Sequence, residues 1–146
     1  MVAQTNLGGM YFKGQGVTQN YKEAFKWFSF AAKQGDVDAQ TSLGGMYDEG
    51  KGVVRDFTQA YKWYRLAAEQ GYAGAQFNLG SMHYFGQGVE QDYNKAIKWY
   101  SLSAEQGYAK AQHNLGWMYD EGKGVVKDFT QAHKWYRLAA EQGHTK

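Results

Sequence analysis

The sequence contains neither proline nor cysteine. Without proline, nothing along the chain removes an amide donor or clashes with a preceding helical turn, so helices can run uninterrupted. Without cysteine, disulfide frameworks and thiol catalysis are excluded, and cysteine usage gives no reading of compartment. Charge of one sign is also scarce. Sixteen Lys and Arg stand against 14 Asp and Glu, a formal net charge of +2, too small to imply a nucleic-acid partner. No apolar run approaches the ~18 residues of a membrane-spanning helix, so no membrane insertion is expected, and no signal-peptide pattern is read. Localisation therefore stays open. Glycine, by contrast, is abundant at 19 residues.

The glycines are not scattered. Ala-Gln stands at Ala3-Gln4, Ala39-Gln40, Ala75-Gln76 and Ala111-Gln112; Leu-Gly follows at Leu7-Gly8, Leu43-Gly44, Leu79-Gly80 and Leu115-Gly116. A Gly-x-Gly-Val element recurs at Gly14, Gly50, Gly86 and Gly122. Each step is 36 residues, without insertion or deletion. A fixed period of that size marks an array of stacked supersecondary units. The chain reads as one array over 1–146 with copies at 3–35, 39–71, 75–107 and 111–143, long enough for a continuous core.

In the second copy, Ala39, Leu43, Met46 and Tyr47 share one helical face. Gly50 stops that helix, and Gly50-Lys51-Gly52 supplies the left-handed freedom of a tight exit. Val53 and Val54 read as an extended connection. Asp56 with Gln59 three residues on reads as an N-cap with a capping-box partner, as do Asn20 and Glu23 in the first copy. Phe57, Ala60, Tyr64, Ala67 and Ala68, widened by Trp63, form the apolar face of a second helix that Gly71 ends. The unit is a helix–turn–helix hairpin, and hairpins of this kind bury their apolar faces by stacking. Small residues such as Gly44 and Ala60 let the helices approach closely. The fold class is all-α, an α/α superhelical solenoid.

The pattern A-x-x-x-L-G-x-x-Y-x-x-G-x-G-V, then D-[YF]-x-x-A-x-x-W-[YF]-x-x-A-A-x-x-G, resembles the Sel-1-like repeat, a relative of the tetratricopeptide repeat. The resemblance covers nearly the whole chain, four times in register. Departures are few: His83 replaces a Tyr, Asn20 the capping Asp and Ser103 an Ala. The resemblance implies a right-handed α-superhelix that serves as a protein-interaction scaffold, with adaptors commoner than catalysts among its members.

The second and fourth copies carry the most information about a site. Between Asp36–Gly71 and Tyr108–Gly143 the mismatches are Asp36/Tyr108, Val37/Ala109, Asp38/Lys110, Thr41/His113, Ser42/Asn114, Gly45/Trp117, Arg55/Lys127 and Tyr61/His133. Six of the eight fall in the first helix and the turn before it, at spacings that share a helix face. The exposed second-helix residues Thr58, Gln59, Lys62 and Arg65 recur unchanged at Thr130, Gln131, Lys134 and Arg137. Either a solvated face has drifted, or the first helices present a ligand-facing surface. By resemblance to tetratricopeptide repeats, first helices line the concave side. Four strips follow: Val2, Thr5, Gly9, Phe12, Lys13; Asp38, Thr41, Gly45, Asp48, Glu49; Gly74, Phe77, Ser81, Tyr84, Phe85; and Lys110, His113, Trp117, Asp120, Glu121. Beside them run Asn6, Ser42, Asn78 and Asn114. An Asn amide can pair with an extended peptide backbone, or can bond a neighbouring helix instead.

Other chemistry is poorly supported. The Gly-x-Gly elements follow helices and lack a closing Gly-Lys-Ser/Thr, so they are turns and not phosphate loops. His83, His113, His133 and His144 lack ligand spacing, so no metal and no cofactor is expected. Asp48-Glu49 and Asp120-Glu121 have no nucleophile beside them, and an enzyme is not expected. These carboxylates oppose the dipole at a helix C-terminus, and either Lys51 and Lys123 or a basic ligand could offset them. Lys and Arg on the second helices suggest a basic side opposite a more acidic, aromatic groove.

The expected function is a protein-interaction scaffold that holds an extended peptide. Its peptide-binding residues are Thr5, Asn6, Phe12, Asp48, Glu49, Phe77, Asn78, Tyr84, His113, Asn114, Trp117, Asp120 and Glu121. A structural spacer within a longer array is the alternative, and hydrolysis of cell-wall-type substrates a remote one. Gly143 to Lys146 parallel the residues that lead into a fresh copy at Ala111, so a segment of a longer array is expected, the alternative being a small natural protein with uncapped ends. The last second helix should then leave some of Trp135, Leu138 and Ala139 open, and end-to-end self-association is expected.

Overall fold

The computed structural model describes residues 1–144; Thr145, Lys146 and the His144 side chain lie outside the described residues. Among them are eight helices: α1 (Val2–Lys13), α2 (Tyr21–Lys33), α3 (Val37–Glu49), α4 (Phe57–Glu69), α5 (Ala73–Phe85), α6 (Tyr93–Glu105), α7 (Ala109–Glu121) and α8 (Phe129–His144). The fold is all-α, each repeat giving one helical hairpin. The helices gather into two compact units, Met1–Gln70 and Gly71–Lys146. In the first, α1 packs on α2, α2 on α3 and α3 on α4; in the second, α5 to α8 repeat that order.

Local chemistry sets each boundary. The Asp36 carboxylate accepts the Ala39 N–H and starts α3, which ends at Gly50 in the left-handed region, φ 69°. Gly52 has φ 74°, and a Cβ there would stand 2.5 Å from the Tyr21 carbonyl oxygen, so no other residue fits this turn. Asp56 caps α4 by accepting the Gln59 N–H at 3.1 Å. The capping box expected of Gln59 is only half formed, because the Asp56 N–H donates to the Tyr47 carbonyl at 2.9 Å. Asn20, Asp92 and Asp128 make the same bond to Tyr11, His83 and Tyr119, pinning each second helix to the end of its first. Asn20 caps like Asp, its side-chain oxygen accepting the Glu23 N–H at 3.1 Å.

The Leu-Gly pair is the centre of each hairpin. Leu43 and Leu115 are 1% exposed. A Cβ on Gly44 would lie 2.7 Å from the Tyr64 ring, and one on Gly80 2.9 Å from the Tyr100 ring. Glycine therefore lets an aromatic ring of the second helix lie flat against the first helix's backbone. In unit 1, Ala24, Phe28, Ala31, Leu43, Met46 and Trp63 form a continuous cluster. In unit 2, Ala104, Ala111, Leu115 and Trp135 do the same. Trp135, which the sequence reading left among the candidates for an open face, is thus buried. The open part of α8 lies at Ala139, half-buried, and Ala140, exposed, whereas Ser103 and Ala104 of α6 are buried beneath α7. Ser103 is tolerated because its hydroxyl donates to the Ala73 carbonyl at 2.8 Å.

The Gln of Ala-Gln is structural as well. Gln40 is buried and donates to the Ala32 carbonyl at 3.2 Å while accepting from Gln70 at 2.9 Å. Gln76 accepts from Gln106, and Gln112 from Gln142, in the same way. These pairs satisfy amides that would be costly to bury alone.

Candidate binding site

Each unit has a cavity at the mouth of its first helices, and the two occupy equivalent positions. In unit 1 a space of about 370 Å³ is lined by Thr5, Gly9, Phe12 and Lys13 of α1, Phe28 of α2, and Ser42, Gly45, Met46 and Glu49 of α3. In unit 2 a space of about 320 Å³ is lined by Tyr84 and Phe85 of α5, Tyr100 of α6, and His113, Asn114, Trp117 and Met118 of α7. A shift of 72 residues carries Phe12, Lys13, Phe28, Ser42, Gly45 and Met46 onto Tyr84, Phe85, Tyr100, Asn114, Trp117 and Met118. The hairpin geometry creates the space, and the sequence decides its chemistry.

In unit 2 that chemistry is aromatic. Tyr84 meets Phe85 edge-on at 4.9 Å between ring centroids and Trp117 at 5.9 Å. The floor is polar. The Tyr100 hydroxyl is 2.9 Å from the Ser81 hydroxyl and is also hydrogen-bonded by the Asn114 side chain. Burial pushes the Tyr100 phenol up, and those two bonds oppose the shift. Burial also raises Tyr84, with Tyr93, Tyr100 and Glu121 adding to it. Trp117 is 36% exposed. A Cβ on Gly9 would meet nothing within 4 Å, and one on Gly45 would meet only the Tyr64 hydroxyl, at 3.6 Å. This register of the first helix faces open space, which explains why it accepts an indole.

In unit 1 the same space is mixed in charge. Lys51 pairs with Glu49 at 3.1 Å and stands over the rings of Phe12, 5.3 Å, and Tyr21, 5.7 Å. Thr5 donates to the Asp36 carboxylate. Asp48 turns toward Tyr64, whose hydroxyl donates to it at 3.4 Å. Desolvation raises the Asp48 carboxyl, against the lowering effects of Tyr64 and Arg55. Glu49 at the end of α3 is therefore offset by Lys51, one of the two lysines foreseen. The Arg55 Nε donates to the Asp48 carbonyl at 2.8 Å, a C-terminal device the sequence reading missed. Gln19 and Gln91 do the same for Phe12 and Tyr84.

The candidate residues thus divide. Tyr84, His113, Asn114 and Trp117 converge on one cavity; Thr5, Phe12 and Glu49 line the other. Phe77 is a half-buried wedge between Tyr100 and Tyr108, at 5.6 and 5.4 Å, and borders a shallower space beside His113 and Tyr136. Asn6 is exposed and Asn78 half-buried; neither is among the lining residues of these spaces. Asp120 lies close enough to Tyr136 to raise its phenol, after burial, with Glu121 adding to the effect. Tyr100 and Met118 escaped the sequence reading because both carry a core pattern, yet each shows an edge to the cavity. Among the described residues no group of three or more His, Asp and Glu could hold a metal ion, and no helix is long and apolar enough to cross a membrane.

The Sel1 repeat family model matches four times, at residues 2–36, 37–72, 73–108 and 109–144. A protective antigen present in uropathogenic Escherichia coli strains, displaying an SLR fold, is 44% identical with a TM-score of 0.93, over 97% of this chain and 30% of its own. A Sel1 repeat protein from Oxalobacter formigenes is 40% identical with a TM-score of 0.92, over 97% of this chain and 57% of its own. Cysteine-rich protein B of Helicobacter pylori, at 23% identity and a TM-score of 0.67 over 86% of this chain and 90% of its own, shares the fold. No curated protein gives a match. The chain spans less than two thirds of the length of those first two relatives.

Proposed function

The chain belongs to the Sel1 repeat family, whose members generally mediate protein–protein interaction and are typically non-enzymatic scaffolds, and from that premise we propose that it binds an extended segment of a partner protein on the open faces of its first helices. One observation carries the reading. Two of the eight positions at which the fourth repeat departs from the second, Ser42/Asn114 and Gly45/Trp117, line equivalent cavities in the two units. On their second helices the exposed Lys62/Lys134 and Arg65/Arg137 are identical, and one position, Tyr61/His133, differs. A change from Ser and Gly to Asn and Trp at a cavity wall fits selection on a ligand better than drift on a wet surface. A cavity walled by packed helices within each unit also suits peptide capture with little reordering.

The test is to select peptides by display against the whole chain and map their contacts by amide and indole chemical shifts. Perturbations should centre on Tyr84, His113 and Trp117, and on Phe12 and Gly45. Peptides that perturb only the second-helix residues around Arg65 and Arg137 would overturn the assignment.

A further inference from the structure

Resting on that reading, we propose that the cavity of unit 2 receives an arginine side chain of the bound segment, stacked among Tyr84, Phe85 and Trp117 beside Glu121. Tyr84, Phe85 and Trp117 line one small space together with Tyr100 and His113, and Tyr84 stands at 75° to Phe85 and 69° to Trp117. Faces set nearly at right angles form a corner in which a flat cation meets more than one π-system. Aromatic faces attract cations through their quadrupole, and a guanidinium, planar and weakly hydrated, stacks there more readily than an ammonium. The lining residues include no Lys or Arg. Glu121 follows Trp117 by one helical turn and lies near enough to act on Tyr84. The cavity thus pairs a lining free of Lys and Arg, in which His113 is the titratable imidazole, with a carboxylate close by.

Unit 1 supplies an internal comparison. The ring equivalent to Tyr84 is Phe12, and there the chain's own Lys51 stands 5.3 Å from the ring centroid. Lys13 occupies the place of Phe85. Unit 1 thus carries its own cations at the site where unit 2 offers bare rings. In unit 2 the matching Lys123 stands over Tyr93, 5.4 Å from its centroid, a ring outside the cavity lining.

The experiment follows the Trp117 indole N–H by NMR, assigned through Trp117→Gly, which copies Gly45. The probes are three blocked pentapeptides, Gly-Gly-X-Gly-Gly, with X arginine, its neutral isostere citrulline, or phenylalanine. The arginine peptide should give a saturable shift, and citrulline should bind roughly two- to thirtyfold more weakly, the span expected for cation–π contacts from exposed to desolvated. Glu121→Gln and added salt should each weaken arginine binding, and Phe85→Lys, which copies Lys13, should remove it. Circular dichroism of each variant checks that the fold is kept. Citrulline binding as well as arginine, or an arginine shift that survives in Phe85→Lys, overturns the proposal, as does no saturable arginine shift. A preference for phenylalanine also overturns it but leaves peptide capture at this cavity standing, so the two readings fail separately.

Discussion

Units 1 and 2 share one hairpin frame, and the cavities it forms differ in chemistry. Their cores match at three buried pairs: Leu43 and Leu115, Met46 and Met118, Trp63 and Trp135. Their cavities do not. Gly45, Lys13 and Phe12 in unit 1 stand where Trp117, Phe85 and Tyr84 stand in unit 2. The difference teaches that packing holds the helices to glycine, leucine and alanine at fixed steps, while the register facing open space is free to take glycine or tryptophan. Function, on this view, is written in the part of the repeat that the fold leaves unconstrained.

The largest expected effect breaks the frame equally in both units. Leu43→Ala and Leu115→Ala should each destabilise by about 2–5 kcal/mol, the range for a fully buried leucine whose cavity cannot collapse. Urea melts would read the loss. A cost below about 0.5 kcal/mol for either would place that leucine at a surface.

The next effect should separate the units. Trp117→Ala removes an edge-on ring contact with Tyr84 but no core packing, so the stability cost should stay at about 0.5–1.5 kcal/mol. Binding of a selected peptide should fall at least about tenfold, as for an exposed aromatic anchor. Gly45→Trp, which imports the indole into unit 1, should be tolerated, since a Cβ there meets only the Tyr64 hydroxyl. Isothermal titration beside thermal melts decides between anchor and bystander. A Trp117→Ala variant that loses stability but binds normally would favour a structural ring.

Much of this was legible in the sequence. The period, the helix boundaries, the caps and the leucine–glycine contact follow from spacing and residue type, because local rules and packing agree there. Trp117 could be placed outward because no neighbour shrinks to admit it. The rest depended on contacts distant in the chain. Phe77 looked like a free anchor until Tyr108, the residue before α7, closed over it. Asn114 could face a ligand or a neighbouring helix; the Tyr100 hydroxyl takes it. The Asp56 N–H seemed reserved for Gln59 but goes to Tyr47, which no local rule names. The Gln40–Gln70 pair was visible as a recurrence in every copy yet had no spacing rule to interpret it.

A subtler contrast is acid sensitivity. His83 in unit 2 stands where unit 1 has Tyr11, and it is buried. Burial, with Lys95 nearby, lowers its pKa from the ordinary 6.5, against Asp92. Above 6.5 both states are neutral and stability is complete. As pH falls below 6.5 the unfolded chain binds the proton first, and stability drains until the folded pKa is reached. His83→Tyr should flatten this part of the pH profile, and hydrogen exchange should locate the change in unit 2. Parallel profiles for the two proteins between pH 7 and 5 would show that His83 carries none of it.

The smallest expected effect concerns Asp48, at the end of α3 in unit 1. Two forces act against its charge. Desolvation raises its pKa above the ordinary 3.8, and a carboxylate in a last helical turn opposes the dipole by about 0.3–1 kcal/mol. The Tyr64 hydroxyl and Arg55 relieve only part of this. The folded carboxyl keeps its proton to a higher pH than the unfolded one, so stability falls as pH rises from 3.8 through the folded pKa, then stays level. Asp48→Asn keeps the shape and can still accept from Tyr64, but never ionises. It should match the wild type near pH 3 and become more stable as pH rises, by a few tenths to about 1 kcal/mol at neutrality. Urea melts of both proteins at pH 3 and pH 7 would read the gap. A variant less stable than the wild type at pH 7 would mean that the charge-assisted bond from Tyr64 outweighs desolvation and dipole together, and that this carboxylate is held ionised by the fold.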